Sequence, residues 1–218
     1  MKALVIGATG ATGKDLVTQL LSDPDFKEVD VFVRKPVPIQ NPKLKTHIVD
    51  FEKPDEWKDL VKGDVAFSCL GTTLKTAGSK EAQRKVDYDY QYNFAKSARE
   101  NNVEDYVLVS SYGADSRSKI FYSKMKGDLE QSVKALHFNK ITIFQPGMLE
   151  RKDTERMGEV LGGKIIKLAN KLGMFKSQKP LPTEVLAKAM INSSKIKSNS
   201  YSKIKFGRII SLAEKRNL

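Results

Sequence analysis

The chain has 218 residues, 40% of them hydrophobic and 29% charged, enough for one large domain with a real core and a soluble surface. It holds no run of 18 apolar residues, which excludes a transmembrane helix, and its single cysteine, Cys69, excludes internal disulfide bonds. The net charge of +12 comes from lysines spread along the chain, densest over 119–140, 151–179 and 195–216. It reads first as solvated helix faces, with an anionic partner or attraction of a phosphate-rich cofactor as sharper alternatives.

Lys2 to Ile6 is a short apolar run ending in glycine, and predicts a buried strand. It is too short for a secretory leader, and together with the lone cysteine it sets the expectation of a cytoplasmic protein. Ala11 to Leu21 carries Leu16, Val17, Leu20 and Leu21 at helical spacing, and Asp23-Pro24-Asp25 stops that helix. Strands are expected at Val29 to Val33, Thr46 to Val49, Asp64 to Cys69, Tyr106 to Val109 and Ile141 to Phe144. Helices are expected at Glu52 to Val61, Ser79 to Glu100 and Tyr122 to Leu136. Strands alternate with helices, which predicts an α/β, doubly wound, mainly parallel sheet, a Rossmann fold. After Pro146 the pattern weakens: residues 147–182 hold five of the fourteen glycines and a weak helix around Val160 to Leu172. Thr183 reads as the cap of a helix over Glu184 to Ile191, and Lys195 to Lys205 as a polar surface loop before a last element. The expected organisation is a single domain: a cofactor-binding core over 1–147, and substrate-side, lid and C-terminal elements over 148–218.

Gly7-Ala8-Thr9-Gly10-Ala11-Thr12-Gly13 joins the first strand to the first helix. Glycine permits a tight turn at 7, close approach of a pyrophosphate at 10 and close packing of helix on strand at 13. Free N–H groups at the helix start, around Ala11 and Thr12, then favour phosphate. The turn therefore predicts a bound dinucleotide. NAD sites place a carboxylate at the end of the second strand for the ribose 2′-hydroxyl. Here that strand ends Val33-Arg34-Lys35, cations suited to a 2′-phosphate, with a further hydroxyl from Thr9, so NADP(H) is favoured over NAD(H).

A Tyr-x-x-x-Lys pair puts a phenol and an ammonium on one helix face, where the cation favours tyrosinate. Three such pairs occur, Tyr92/Lys96, Tyr122/Lys126 and Tyr201/Lys205. Tyr92 is assigned to packing and Tyr201 to the polar loop. Only Tyr122 opens a helix after a strand ending in serines, Ser110 and Ser111. The expected catalytic set is Tyr122 as proton donor and acceptor, Lys126 as its electrostatic partner and ribose ligand, and Ser111 as hydrogen-bond donor to a carbonyl. Ser110 is the alternative donor, because strand alternation turns only one of the two toward the site.

The spacing G-x-x-G-x-x-G resembles that of extended and atypical short-chain dehydrogenase/reductases. Cys69-Leu70-Gly71-Thr72-Thr73, Val86-Asp87-Tyr88, Val109 to Asp115, Phe121 to Gly127 and Phe144-Gln145-Pro146-Gly147 together resemble the TIP30/CC3-like, or HTATIP2-type, branch of the atypical group. The resemblance covers most of the first 150 residues. It implies a dinucleotide along the carboxyl ends of the strands, with Asp50 near the adenine. Cys69, Leu70, Gly71 and Thr72 would line the nicotinamide-side ribose and phosphate, and Ser110 and Pro146 would lie beside the cofactor. Gln145 departs from the arginine the family usually carries before Pro-Gly. The resemblance implies NADPH binding more firmly than turnover, because members are also described as regulators. The expected activity is reduction of a small carbonyl-type substrate, with a non-catalytic NADP(H)-sensing regulator or assembly factor as the alternative. The pocket is expected from Tyr112 to Ile120, Met148 to Met157 and the segment from Gly158 to Gly173, with an apolar cast from Met148, Leu149, Met157, Leu161 and Met174. His47 and His137 stand apart and read as structural, no metal-ligand spacing occurs, and no membrane or nucleic-acid partner is expected. A monomer or homodimer is expected.

Overall fold

The computed structural model describes residues 1–150 and 180–215. Strands β1 (Lys2–Ile6), β2 (Glu28–Val33), β3 (Leu44–Ile48), β4 (Val65–Ser68), β5 (Asp105–Val109), β6 (Lys140–Gln145) and β9 (Tyr201–Lys205) form one sheet in the order β3-β2-β1-β4-β5-β6-β9. Every neighbouring pair is parallel. Chain order reverses between β1 and β4, and in such a sheet the crevice at the carboxyl ends of these strands is where a ligand binds. Two-residue strands β7 (Leu149–Glu150) and β8 (Leu181–Pro182) pair separately.

Side-chain alternation divides the core in two. Ala3, Val5, Val29, Val31, Phe67, Val107 and Phe144 face helices α1 (Ala11–Ser22), α6 (Thr183–Lys195) and α7 (Phe206–Glu214). Leu4, Ile6, Phe32, Ala66, Leu108 and Ile143 face α4 (Tyr90–Glu100) and α5 (Phe121–Lys134). Both faces are covered, which explains strands that read as continuous apolar runs. The described C-terminal elements therefore complete the sheet and one of its faces.

Four expectations change in detail. Glu52 to Val61 forms two 3-10 turns, Pro54–Glu56 and Lys58–Leu60, because Pro54 opens the first and Trp57 must reach inward to donate from Nε1 to the Asp50 carbonyl. The stretch from Ser79 is not one regular helix. After α2 (Leu74–Ala77), helix α3 (Lys80–Arg84) passes through a π turn at Lys85–Asp89 into α4. Thr183 does not cap its helix. It is the first helical residue, and its hydroxyl is drawn across to Asp15 Oδ2 of α1 at 2.6 Å. Tyr201 to Lys205 is no loop: it is the edge strand β9, with Ile204 its one buried residue and Lys205 exposed, a common way to guard an edge. The weak helix expected around Val160 to Leu172, with Met157, Leu161 and Met174, lies outside the described residues.

Candidate functional site

The β1–α1 turn is a cradle that side chains would fill. Gly7 adopts φ +84°, and a Cβ there would stand 2.5 Å from the Cys69 carbonyl carbon, so the end of β4 touches the turn. A Cβ on Gly13 would lie 2.1 Å from the Gly7 carbonyl oxygen. Gly10 N–H donates to the Gly7 carbonyl at 3.0 Å, and Gly10 precedes Ala11 and Thr12 in the first turn of α1. No acidic side chain occupies that first turn, which leaves the positive end of the helix without a carboxylate of its own. Thr9 is exposed, Thr12 is buried, and Arg34 and Lys35 are exposed just beyond β2. These residues fit a diphosphate and an adjoining anionic group.

Beyond β3, the exposed Asp50 accepts from Glu52 N–H, and Phe51 stacks on Tyr90 at 5.4 Å. Tyr90 donates to Glu52, and its phenol is pushed up to about 12 by burial first and then by that carboxylate. Beyond β4, burial pushes the Cys69 thiol up to about 12, away from the reactive thiolate form. Leu70 and Gly71 lead to Thr72, whose N–H donates to Asp87 Oδ2 at 3.0 Å.

The carboxyl ends of β5 and β6 carry the rest. Ser110 donates its hydroxyl to Glu130, whereas the Ser111 hydroxyl is buried and finds no partner among the described residues. Tyr112 N–H donates to the Pro146 carbonyl at 2.8 Å, tying the two strand ends together. The loop that follows folds back over α5: Asp115 N–H reaches the Ser123 carbonyl at 3.0 Å, and a Cβ on Gly127 would lie 2.1 Å from Ser116 N. Tyr122, in the first turn of α5, stays 37% exposed, with exposed Tyr112, Ile120 and Met148 also on these connections.

Lys126 shares the helix face with Tyr122, yet it is buried and paired with Asp87 Oδ1 at 3.0 Å, with side chains 3% and 0% exposed. The π turn carries Asp87 into that position, where it holds Thr72 as well. Sequence reasoning named Asp87 only as part of a matching segment. It missed Glu130 and Lys203 outright. Glu130 follows Lys126 by four residues, on the stripe beside Leu129 and Val133, and an acid at that helical spacing was the available signal. Gln145, where the resembled family carries arginine, donates to Glu130 Oε1 at 2.8 Å. Of the histidines, His47 bonds buried Asp30 at 2.7 Å, and His137 sits at φ 55° after α5. Among the described residues no three His, Cys, Asp or Glu side chains stand close enough to hold a metal ion, and no helix is long and apolar enough to cross a membrane.

A glycine cradle at the switch point of a doubly wound sheet defines a dinucleotide-binding protein of oxidoreductase-like fold. Comparison makes this specific: the NAD(P)H-binding family matches residues 7–167, and the chain belongs to it. It is 36% identical over 176 residues to "Protein FMP52, mitochondrial" of Coccidioides immitis, covering 72% of each chain. It is 33% identical over 195 residues to rat "Protein HTATIP2", covering 87% of this chain and 79% of that one. The fold matches that of a short-chain dehydrogenase from Burkholderia cenocepacia in complex with NADP, with TM-score 0.68, 13% identity and coverage of 96% and 89%. Another structure of similar fold holds NAD, so likeness of fold sets no preference between the two nucleotides.

These relatives correct one expectation. FMP52 proteins of Coccidioides immitis, Candida albicans and Saccharomyces cerevisiae are all named mitochondrial, which overturns the cytoplasmic reading. A lone cysteine never distinguished the cytoplasm from another reducing interior.

Proposed function

We propose that this chain is an NADPH-dependent reductase of a small carbonyl-type substrate. The observation that carries this reading is Ser111: a buried hydroxyl without a partner among the described residues, at the end of the strand that leads into the helix bearing a half-exposed Tyr122. A buried hydrogen-bond donor left unsatisfied is unusual in a folded protein, and a substrate oxygen would satisfy it. Backbone N–H groups of Gly7 to Gly13, with Thr9, hold the diphosphate, and Arg34 and Lys35 hold the 2′-phosphate that distinguishes NADP(H). Asp50 would lie on the adenine side. Cys69, Leu70, Gly71 and Thr72, with Ser110 and Pro146, line the nicotinamide side. The cofactor supplies the hydride. Tyr122 gives its phenolic proton to the substrate oxygen as charge develops there, and Ser111 donates a hydrogen bond to the same oxygen. Lys126 stabilises the tyrosinate left behind and binds the ribose. Residues 1–147 form the cofactor-binding core, and residues 148–218 supply the substrate side and the C-terminal elements. The location named for the fungal relatives is carried over with this reading.

One observation favours a second reading. Asp87 neutralises the Lys126 charge at 3.0 Å, which weakens its pull on the Tyr122 proton. A protein that senses NADP(H) without consuming it, as a regulator or assembly factor, needs only the cradle. Tyr122→Phe separates the two. The reductase reading requires turnover in the parent protein, its loss in the variant, and nearly unchanged NADPH affinity measured by fluorescence titration. An NADPH-binding protein that consumes no NADPH across a broad carbonyl panel is the sensor.

A further inference from the structure

Glu130 extends from α5 one turn beyond Lys126 and two turns beyond Tyr122, so all three share one helix face. It is 1% exposed. Its Oε1 accepts from the Ser110 hydroxyl and from Gln145 Nε2, and the Lys203 ammonium of β9 stands 2.6 Å from Oε2. One carboxylate thus joins the helix that carries Tyr122, the ends of β5 and β6, and the edge strand. A carboxylate at this depth requires a counter-charge, because removing one partner of a buried pair leaves an uncompensated ion. Gln145 can donate a hydrogen bond but cannot neutralise. Lys203 can, and it keeps a third of its side chain in solvent. Burial pulls the Lys203 ammonium toward deprotonation, but the bond and charge of Glu130 outweigh it, and its pKa is raised.

Successive strand residues point to opposite faces. With the Ser110 hydroxyl held by Glu130, the hydroxyl left without a partner among the described residues is that of Ser111. We propose that Glu130 and Lys203 are a positioning pair for the site. Glu130 fixes the serine-bearing strand end against α5, so that Ser111 is the free serine and Tyr122 keeps its register with it. Lys203, from a strand laid down far later in the chain, holds Glu130 charged and in place. The consequence for rate rests on the reductase reading above, whereas the geometric part does not.

The test is fluorine NMR on protein labelled with 3-fluorotyrosine, with the Tyr122 signal assigned by its loss in Tyr122→Phe. Lys203→Met should displace or split that signal, and Lys203→Arg should return it to its place. Lys195→Met is the comparison, because it also breaks ion pairs, to Asp23 and Asp25, but on the other side of the fold. It should leave Tyr122 unmoved. Should Lys203→Met fail to fold, Glu130→Gln with Lys203→Met removes both charges together and should fold with the Tyr122 signal still displaced. In turnover, Lys203→Met should lower kcat about tenfold or more with KM for NADPH nearly unchanged, because small misplacements of reacting groups are costly. An unmoved Tyr122 signal in folded Lys203→Met, or an equal shift in Lys195→Met, overturns the positioning role. If the parent protein binds NADPH without turning it over, the reductase reading falls and the fluorine result still decides this one.

Discussion

The two wings of the sheet hold the charge nearest the cleft in opposite ways, although Asp30 of β2 is itself buried against His47. On the wing of β1, β2 and β3, the cleft is shaped by backbone, and the ionic groups beside it, Arg34, Lys35 and Asp50, stand in solvent. On the wing of β5, β6 and β9, charge is internal: Lys126 with Asp87, Lys203 with Glu130, and Lys140 with Asp105. A site made of backbone tolerates many side chains nearby but no added Cβ within it. A site made of buried pairs tolerates changes of volume better than the loss of one partner.

The largest expected effect is on the first wing. Gly13→Ala puts a methyl group 2.1 Å from the Gly7 carbonyl oxygen, with only backbone to yield. It should abolish NADPH binding in a fluorescence titration and lower stability by about 3 kcal/mol. An alanine variant that binds as the parent does would show that the turn is not the cradle.

Next comes Asp87→Ala, which leaves Lys126 buried and unpaired and frees the Thr72 N–H. Urea denaturation should show a loss of about 3–5 kcal/mol, and adding Lys126→Met should recover most of it. A double variant no more stable than Asp87→Ala would mean that Asp87 acts through Thr72 and not through the ion pair.

The smallest effect is a pH dependence of the third pair. Burial first, against the pull of Lys140, pushes the Asp105 carboxyl up from 3.8 to about 6. A raised carboxyl binds its proton more tightly in the folded chain than in the unfolded one. Folding therefore takes up a proton between about pH 4 and 6, and the contribution of this group to stability falls as pH rises through that window. Lys140 also donates to the Ser193 and Ile196 carbonyls at the end of α6, so the pair is linked to that helix. Carboxyl-carbon NMR should find Asp105 titrating near 6, and a midpoint near 4 would contradict the account.

The same contrast explains what could be read beforehand. The cradle was legible because glycine at 7, 10 and 13 has a local steric reason. β1, β2, β4, β5 and β6 were legible because strands buried on both faces are largely apolar. β9 was not, since Tyr201, Lys203 and Lys205 at an edge look like a loop and only Ile204 is buried. Asp87 and Glu130 look like surface acids until the partner arrives from elsewhere in the chain, and pairing between distant residues has no local signature. Thr183 had the right chemistry for a cap, but a carboxylate on α1 competed for its hydroxyl. Ser110 and Ser111 differ in their hydrogen bonding only through Glu130, whose pairing has no local signal in the sequence. The cellular compartment was outside what composition addresses.

The central claim, a nicotinamide dinucleotide held at the β1–α1 turn with Arg34 and Lys35 beside it, is tested most directly by calorimetric titration of the parent protein with NADPH and with NADH. The account predicts saturable one-site heat, with NADPH tighter by about tenfold or more from charge-assisted bonds to its extra phosphate. No heat with either nucleotide at millimolar concentration would contradict it.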